Sequence, residues 1–212
     1  MGIVIYVAVL LFSVIMHEFA HAYAAYLRGD DTAKFAGRLT LNPIVHIELF
    51  GSIILPVSLM LLHAPILFGW AKPVPVNYAK LRNLKTDIAL VSFAGPAANI
   101  AIAIFAGIGI RIIHMFPAFE QGSGGAVASV FYVMVVVNAV LLVINLVPIP
   151  PLDGSKVVTF FLPHDVARKY LSLNPFLCTL VLIALLWSGI LWNIIGPIIN
   201  LLVIFFSGVS LR

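Results

Sequence analysis

Residues 2–27 read GIVIYVAVLLFSVIMHEFAHAYAAYL, an apolar run whose one formal charge is Glu18. About 20 apolar residues suffice to cross a bilayer core as a helix, so the run reads as a membrane span with His17-Glu18-Phe19-Ala20-His21 inside it. On an α-helix, two histidines four residues apart point the same way, one turn apart. Both imidazoles can then bind one Zn²⁺ while the intervening glutamate reaches its water. A pair of packing histidines with a buried partner glutamate is the plainer alternative. Against it, an ionisable group at membrane depth is costly and marks function by default.

Working outward, composition sets the class. Of 212 residues, 62% are hydrophobic and 9% charged, which makes the chain a polytopic helical membrane protein with room for five or six spans. No polar stretch is long enough to fold as a separate soluble domain. We expect one membrane-embedded domain over residues 1–212, with a catalytic core over about 1–170 and C-terminal hydrophobic helices over about 175–209. The first span lacks the basic start and small-residue cleavage site of a secretory signal. The net charge of +4 comes from basic residues spread through membrane-flanking loops, not interleaved with aromatics in one patch. No nucleic-acid partner is expected; these charges report topology. Cys178 is the single cysteine and reads as a small apolar packing residue.

Further apolar segments run over Gly51–Phe68, Asp87–Phe116, Ala126–Val147 and Phe176–Val209. The last would be about 50 Å long as one helix, too long for a core of about 30 Å. A break into two helices is expected at Ser188-Gly189 or Gly196-Pro197. Gly37–Leu41 alternates polar and apolar residues, and Lys72-Pro73-Val74-Pro75-Val76 cannot be helix interior. Both are expected to form a small β element in the loops, where an unwound substrate segment could be held by strand addition.

A catalytic zinc usually takes three protein ligands. His46, His63, His114, His164, Asp153 and the six other carboxylates outside the motif remain as candidates for the third. Asp153 stands out, because Pro148, Pro150 and Pro151 stop the preceding helix and Gly154 permits a tight turn. If Asp153 is to meet His17, the helices carrying them are best placed parallel, with Asp87–Phe116 as the crossing between them. Gly51–Phe68 then dips in and returns, which its Gly51, Pro56 and Pro65 make feasible. In that arrangement Arg28, Lys34, Arg38, Lys72, Lys80, Arg82, Lys85, Lys156, Arg168 and Lys169 share one face, the cytoplasmic one by the positive-inside rule. His46 and Glu48 read as surface loop residues. Asn99 reads as a polar group gluing helices together.

Three motifs in this order on apolar helices are specific: His17 to His21, Ala94-Gly95-Pro96-Ala97-Ala98-Asn99, and Asn145 through Asp153-Gly154. In them the chain resembles the site-2 protease family of intramembrane zinc metalloproteases, in particular its compact bacterial-type members without PDZ or CBS domains. Gly37-Arg38-Leu39-Thr40-Leu41-Asn42-Pro43 and Gly69 to Asn77 are similar to the same subgroup. One departure is Ser155, where many relatives have a second glycine after the aspartate. The resemblance implies an all-α polytopic membrane fold with one Zn²⁺ per chain held by His17, His21 and Asp153. It also implies Glu18 as the catalytic acid and base, with Asn145 near the reacting carbonyl.

The function expected is hydrolysis of peptide bonds in or near transmembrane segments of protein substrates, by zinc-activated water with Glu18 as general base. The setting is a multi-pass protein of a bacterial or archaeal cell membrane, its site opening toward the cytoplasm. The partners are the lipid bilayer and the transmembrane substrate; oligomeric state is not legible. A catalytically inactive zinc-binding scaffold or chaperone of the same fold is the first alternative, and an intact Glu18 speaks against it. A metal or small-solute transporter is the second, and the chain shows no inverted repeat.

Overall fold

The computed structural model describes residues 2–54, 58, 61 and 72–208. Helix α1 covers Gly2–Leu27, α2 Leu84–His114, α3 Gly125–Leu146, α4 Asp153–Val158, α5 His164–Leu171, α6 Pro175–Trp187 and α7 Ile190–Ser207. Among the described residues, four stretches are long and apolar enough to cross a membrane: Ile3–Leu27, Leu84–His114, Pro117–Leu146 and Ile190–Ser207. The C-terminal apolar run breaks at Ser188-Gly189, where Gly189 takes φ +75°, whereas Pro197 stays inside α7. Helices α5 and α6 meet at a bend of 78°.

Contacts fix the directions of the first three long helices. Along α1, Arg28 faces Asp87 across 3.6 Å, His21 meets Val91 and His17 meets Asn99. Rising numbers on one helix pair with falling numbers on the other, so α1 and α2 are antiparallel. Ser13 on α1 accepts a hydrogen bond from Asn138 on α3 at 2.9 Å, and Asn145, one polar position further on, reaches the level of His17 to His21. Helices α1 and α3 therefore run parallel, with α2 crossing between them.

Local chemistry explains the ends of these helices. Asn83 caps α2 by accepting from Thr86 N–H, and Asp87 returns the favour to Asn83 N–H at 2.8 Å, a reciprocal cap that satisfies otherwise orphaned donors. Helix α3 stops at Leu146 because the prolines beyond it cannot continue the ladder. Small residues Ala103, Ala106 and Ala139 let α2 and α3 close on each other, and Ile195, Ile199 and Val203 of α7 complete this core.

The expected β element is absent among the described residues: no strand forms there, and neither Gly37–Leu41 nor Lys72–Val76 joins a sheet. Pro73 and Pro75 have no N–H to offer a ladder, and side chains take up neighbouring main-chain groups instead. Arg38 donates to the Lys72 and Pro73 carbonyls, while Val74 N–H donates to Glu18. The expected re-entrant segment Gly51–Phe68 lies largely outside the described residues. Its flanks are joined, since Lys72 N–H donates to the His46 carbonyl at 2.9 Å.

These directions gather the basic loop residues at one end. Arg28 pairs with Asp87, Lys80 with Asp31, Lys85 stands over the Phe160 ring, and Tyr170 donates to the Pro148 carbonyl. The exposed Lys80 ammonium holds the Asp31 carboxyl below its ordinary value. Arg111 lies at the opposite end, donating to the Phe205 and Phe206 carbonyls of α7. In a variant lacking Cys178, cysteines placed at Lys34 and Lys169 are expected to react with a membrane-impermeant thiol reagent from the same side. A cysteine at Ser123 should react from the other. Labelling of right-side-out and inverted vesicles checks this.

Candidate metal centre

Three candidate ligand atoms from two distant parts of the chain, α1 and the start of α4, converge. His17 Nε2 lies 3.1 Å from Asp153 Oδ2, His21 Nε2 lies 3.0 Å from the same oxygen, and the two Nε2 atoms are 3.0 Å apart. All three residues are buried. Among the described residues they form the one cluster of this kind that could hold a metal ion. In a tetrahedral zinc site with bonds of about 2.0–2.1 Å, ligand atoms stand about 3.3 Å apart, so the trio needs little adjustment.

The hydrogen bonds behind the rings favour the same reading. His21 Nδ1 is 2.7 Å from the Val91 carbonyl, which can only accept, so the proton sits on Nδ1 and Nε2 presents a lone pair. In the neutral ring that lone pair faces a carboxylate oxygen, a pairing that a shared cation would satisfy. Behind His17, the amide nitrogen of fully buried Asn99 lies 3.1 Å from Nδ1, and its oxygen has no partner. Turning the planar amide over exchanges nitrogen and oxygen at no steric cost. His17 Nδ1–H then donates to Asn99 Oδ1, and Nε2 is freed for a metal. Two imidazoles and a carboxylate suit Zn²⁺. Asn99 is thus an interhelical hydrogen bond, as its sequence context suggests, but one that ends on the motif.

Two glycines allow the approach. A Cβ on Gly95 would fall on the Nε2 atoms of both His17 and His21, so α2 comes close to the ligands because residue 95 has no side chain. A Cβ on Gly154 would meet the Leu146 and Val147 carbonyls, so the turn returning Asp153 toward α3 requires glycine. Lys156 Nζ stands 3.7 Å from Asp153 Oδ1.

A cavity of about 340 Å³ opens beside the trio, lined among others by Glu18, Val74, Ser92, Asn145 and Lys156. Glu18 Oε2 accepts from Val74 N–H at 2.8 Å. Asn145 lines the cavity while one of its N–H groups donates to the Leu141 carbonyl at 2.9 Å. The other histidines stay apart. His114 and His164 are 45% and 84% exposed at the surface, and His63 lies outside the described residues. His46 is not the surface residue its loop suggests: it is fully buried, with Nε2 bonded to the Thr40 carbonyl at 2.8 Å.

Residues 107–186, which include Asn145 and Asp153, match Peptidase family M50. The chain is 38% identical over 202 residues to "Putative zinc metalloprotease YwhC" of Bacillus subtilis (strain 168), covering 92% of this chain and 85% of that protein. This chain belongs to family M50, the site-2 proteases. It is 32% identical over 144 residues to "Putative zinc metalloprotease Rip2" of Mycolicibacterium smegmatis, covering 68% of this chain and 52% of that protein. With the Rip2 of Mycobacterium tuberculosis (strain H37Rv) it shares 29% over 176 residues, 83% of this chain and 64% of that protein. It thus spans about half to two thirds of these mycobacterial relatives. No solved structure matches it. Membership in M50 brings zinc metalloprotease ancestry, and with four helices able to cross a bilayer the chain is an integral multi-pass membrane protein.

Replacing Asn99 by leucine removes the partner of His17 Nδ1 without adding bulk at the ligand atoms. Zinc affinity is expected to fall about 10- to 100-fold, read as metal released to a chelator. Gly95→Ala should weaken zinc retention as well, through direct collision with both imidazoles.

Proposed function

We propose that this chain is an intramembrane zinc metalloendopeptidase of the HExxH type that cleaves peptide bonds in or near transmembrane segments of membrane-protein substrates. The observation that carries the reading is that Glu18 lines the same cavity as the His17, His21 and Asp153 trio. On this reading one zinc per chain is held by His17 Nε2, His21 Nε2 and an Asp153 carboxylate oxygen. Zinc, when bound, supplies a Lewis acid that makes water nucleophilic near neutral pH.

The protein's own groups do the rest. Glu18 takes a proton from the attacking water at its carboxylate and later delivers it to the leaving amine. Its bond to Val74 N–H uses one carboxylate oxygen and so sets which oxygen turns to the cavity. Asn145 has a second N–H beyond the one bonded to Leu141, a donor for the oxygen of the scissile carbonyl. A substrate helix hides its peptide bonds in its own ladder, so the reacting stretch has to unwind before it reaches the cavity.

The basic end, with Arg28, Lys72 and Lys169, is assigned to the cytoplasm, and the site opens there. Residues 1–212 then form one membrane-embedded unit with a catalytic core over about 1–170. The bilayer and a transmembrane protein substrate are its partners.

Metal analysis paired with cleavage of a model single-span substrate tests this. Glu18→Gln is expected to keep its zinc and lose about 10²–10⁴ in rate, and Asp153→Asn to lose zinc affinity along with activity. Normal zinc in both variants, with no cleavage of several substrates by wild type, would instead indicate a zinc-binding scaffold.

A further inference from the structure

We infer that Arg38 is a positioning residue for Glu18, acting through the peptide group between Pro73 and Val74. The inference rests on the proposed role of Glu18 as general base.

Arg38 is buried, 7% exposed, and forms no ion pair with a carboxylate among the described residues. Its Nε is buried without a partner. Burying a guanidinium on these terms is costly, so its position calls for an explanation. Its Nη2 donates to the Lys72 carbonyl at 2.5 Å and lies 3.4 Å from the Pro73 carbonyl.

The Pro73 carbonyl and the Val74 N–H belong to one planar peptide unit. The single cis bond among the described residues is Pro150–Pro151, so this unit is trans and its C=O and N–H point in opposite directions. Arg38 Nη2 faces one edge at 3.4 Å, anchored by its shorter bond to the Lys72 carbonyl, and Glu18 Oε2 takes the other edge at 2.8 Å. The result is a line from a cation through a polarised amide to a carboxylate, and hydrogen bonds in such a chain reinforce one another. Pro73 and Pro75 flank Val74 and carry no N–H, so Val74 is the only main-chain donor the three-residue piece can present.

The rest of the loop is fastened in the same way. Lys72 N–H donates to the His46 carbonyl at 2.9 Å, and Asn77 N–H donates to Asp30 Oδ2 at 2.6 Å. These two bonds fix the ends of the segment. Between them Arg38 bonds Lys72 and reaches the Pro73 carbonyl, and the buried Val74 side chain packs with Ala22 and Ala33; rotation of the Pro73–Val74 peptide would carry the N–H off Glu18. A glutamate side chain has three rotatable bonds, and an error of about 1 Å in a reacting group can cost 10²-fold.

The experiment uses purified full-length protein reconstituted with the model single-span substrate, comparing wild type, Glu18→Gln, Arg38→Ala and Arg38→Lys. Arg38→Ala is expected to retain zinc and a KM near the wild-type value while kcat falls about 10- to 100-fold. Added guanidinium, which fits the space vacated by the side chain, should restore part of kcat in Arg38→Ala and none in Glu18→Gln. Arg38→Lys keeps the charge but not the planar fork, and should lie between wild type and alanine. If Arg38→Ala fails to accumulate as folded protein, Arg38→Lys decides: reduced kcat with zinc retained supports the inference, and wild-type kcat overturns it. A zinc-loaded Arg38→Ala with wild-type kcat, or a loss that guanidinium does not relieve, would also overturn it while Glu18→Gln remained inactive. Cleavage by Glu18→Gln at the wild-type rate would overturn the general-base reading itself, and the inference with it.

Discussion

The structure depends on a crowded contact: two imidazole nitrogens and one carboxylate oxygen within 3.1 Å of one another inside an apolar bundle. Without a cation, a neutral His21 lone pair facing a carboxylate oxygen would be repulsive, and desolvation would add to the cost. With one, three ligands belonging to α1 and to the turn after α3 are bound to a common centre. The contact and the topology go together. Helix α1 runs parallel to α3, α2 crosses between them, and the chain after Leu146 turns back at once. Pro148, Pro150 and Pro151 end the helix, and Gly154 lets the return pass against the Leu146 and Val147 carbonyls.

Helix α2 has a second task, supporting the site from behind. Val91 offers a carbonyl to His21, Asn99 an amide to His17, and Gly95 between them offers no side chain. The three positions are four apart, so they lie on one face of the helix a turn at a time. Pro96, beside Gly95, also leaves the Ser92 carbonyl without its usual helical donor, and Ser92 lines the cavity. Such irregularity in a membrane helix is tolerable where neighbouring protein or a water-filled cavity can satisfy the freed groups.

Much of this was legible in the sequence because the signals were periodic or local. The 26 residues of α1 form an uninterrupted apolar run, the histidines sit at i and i+4, and three prolines announce the stop before Asp153. Bounds of the long helices follow from the same patterns to within a few residues. The loops were less readable. Alternation in Gly37–Leu41 and extension in Lys72–Val76 suggested strands, but a strand is defined by its partner, and pairing is not written in a five-residue pattern. His46 looked like a surface residue for a similar reason: a polar side chain in a polar loop gives no hint that the loop folds over it.

The loops illustrate how an irregular segment can be held firmly without a sheet. A ladder would need successive N–H groups, and the prolines at 73 and 75 remove them. The chain uses side chains from α1, from the residues just after it and from the loop before Pro43 as hooks: Glu18, Asp30 and Arg38 each take a main-chain group of residues 72–77. A sheet would have bound the segment along its whole length and left Glu18 to find another partner. Hooks at chosen points leave the Val74 amide facing the motif, and its bond to Glu18 ties a proline-rich loop to the orientation of a glutamate on the membrane helix.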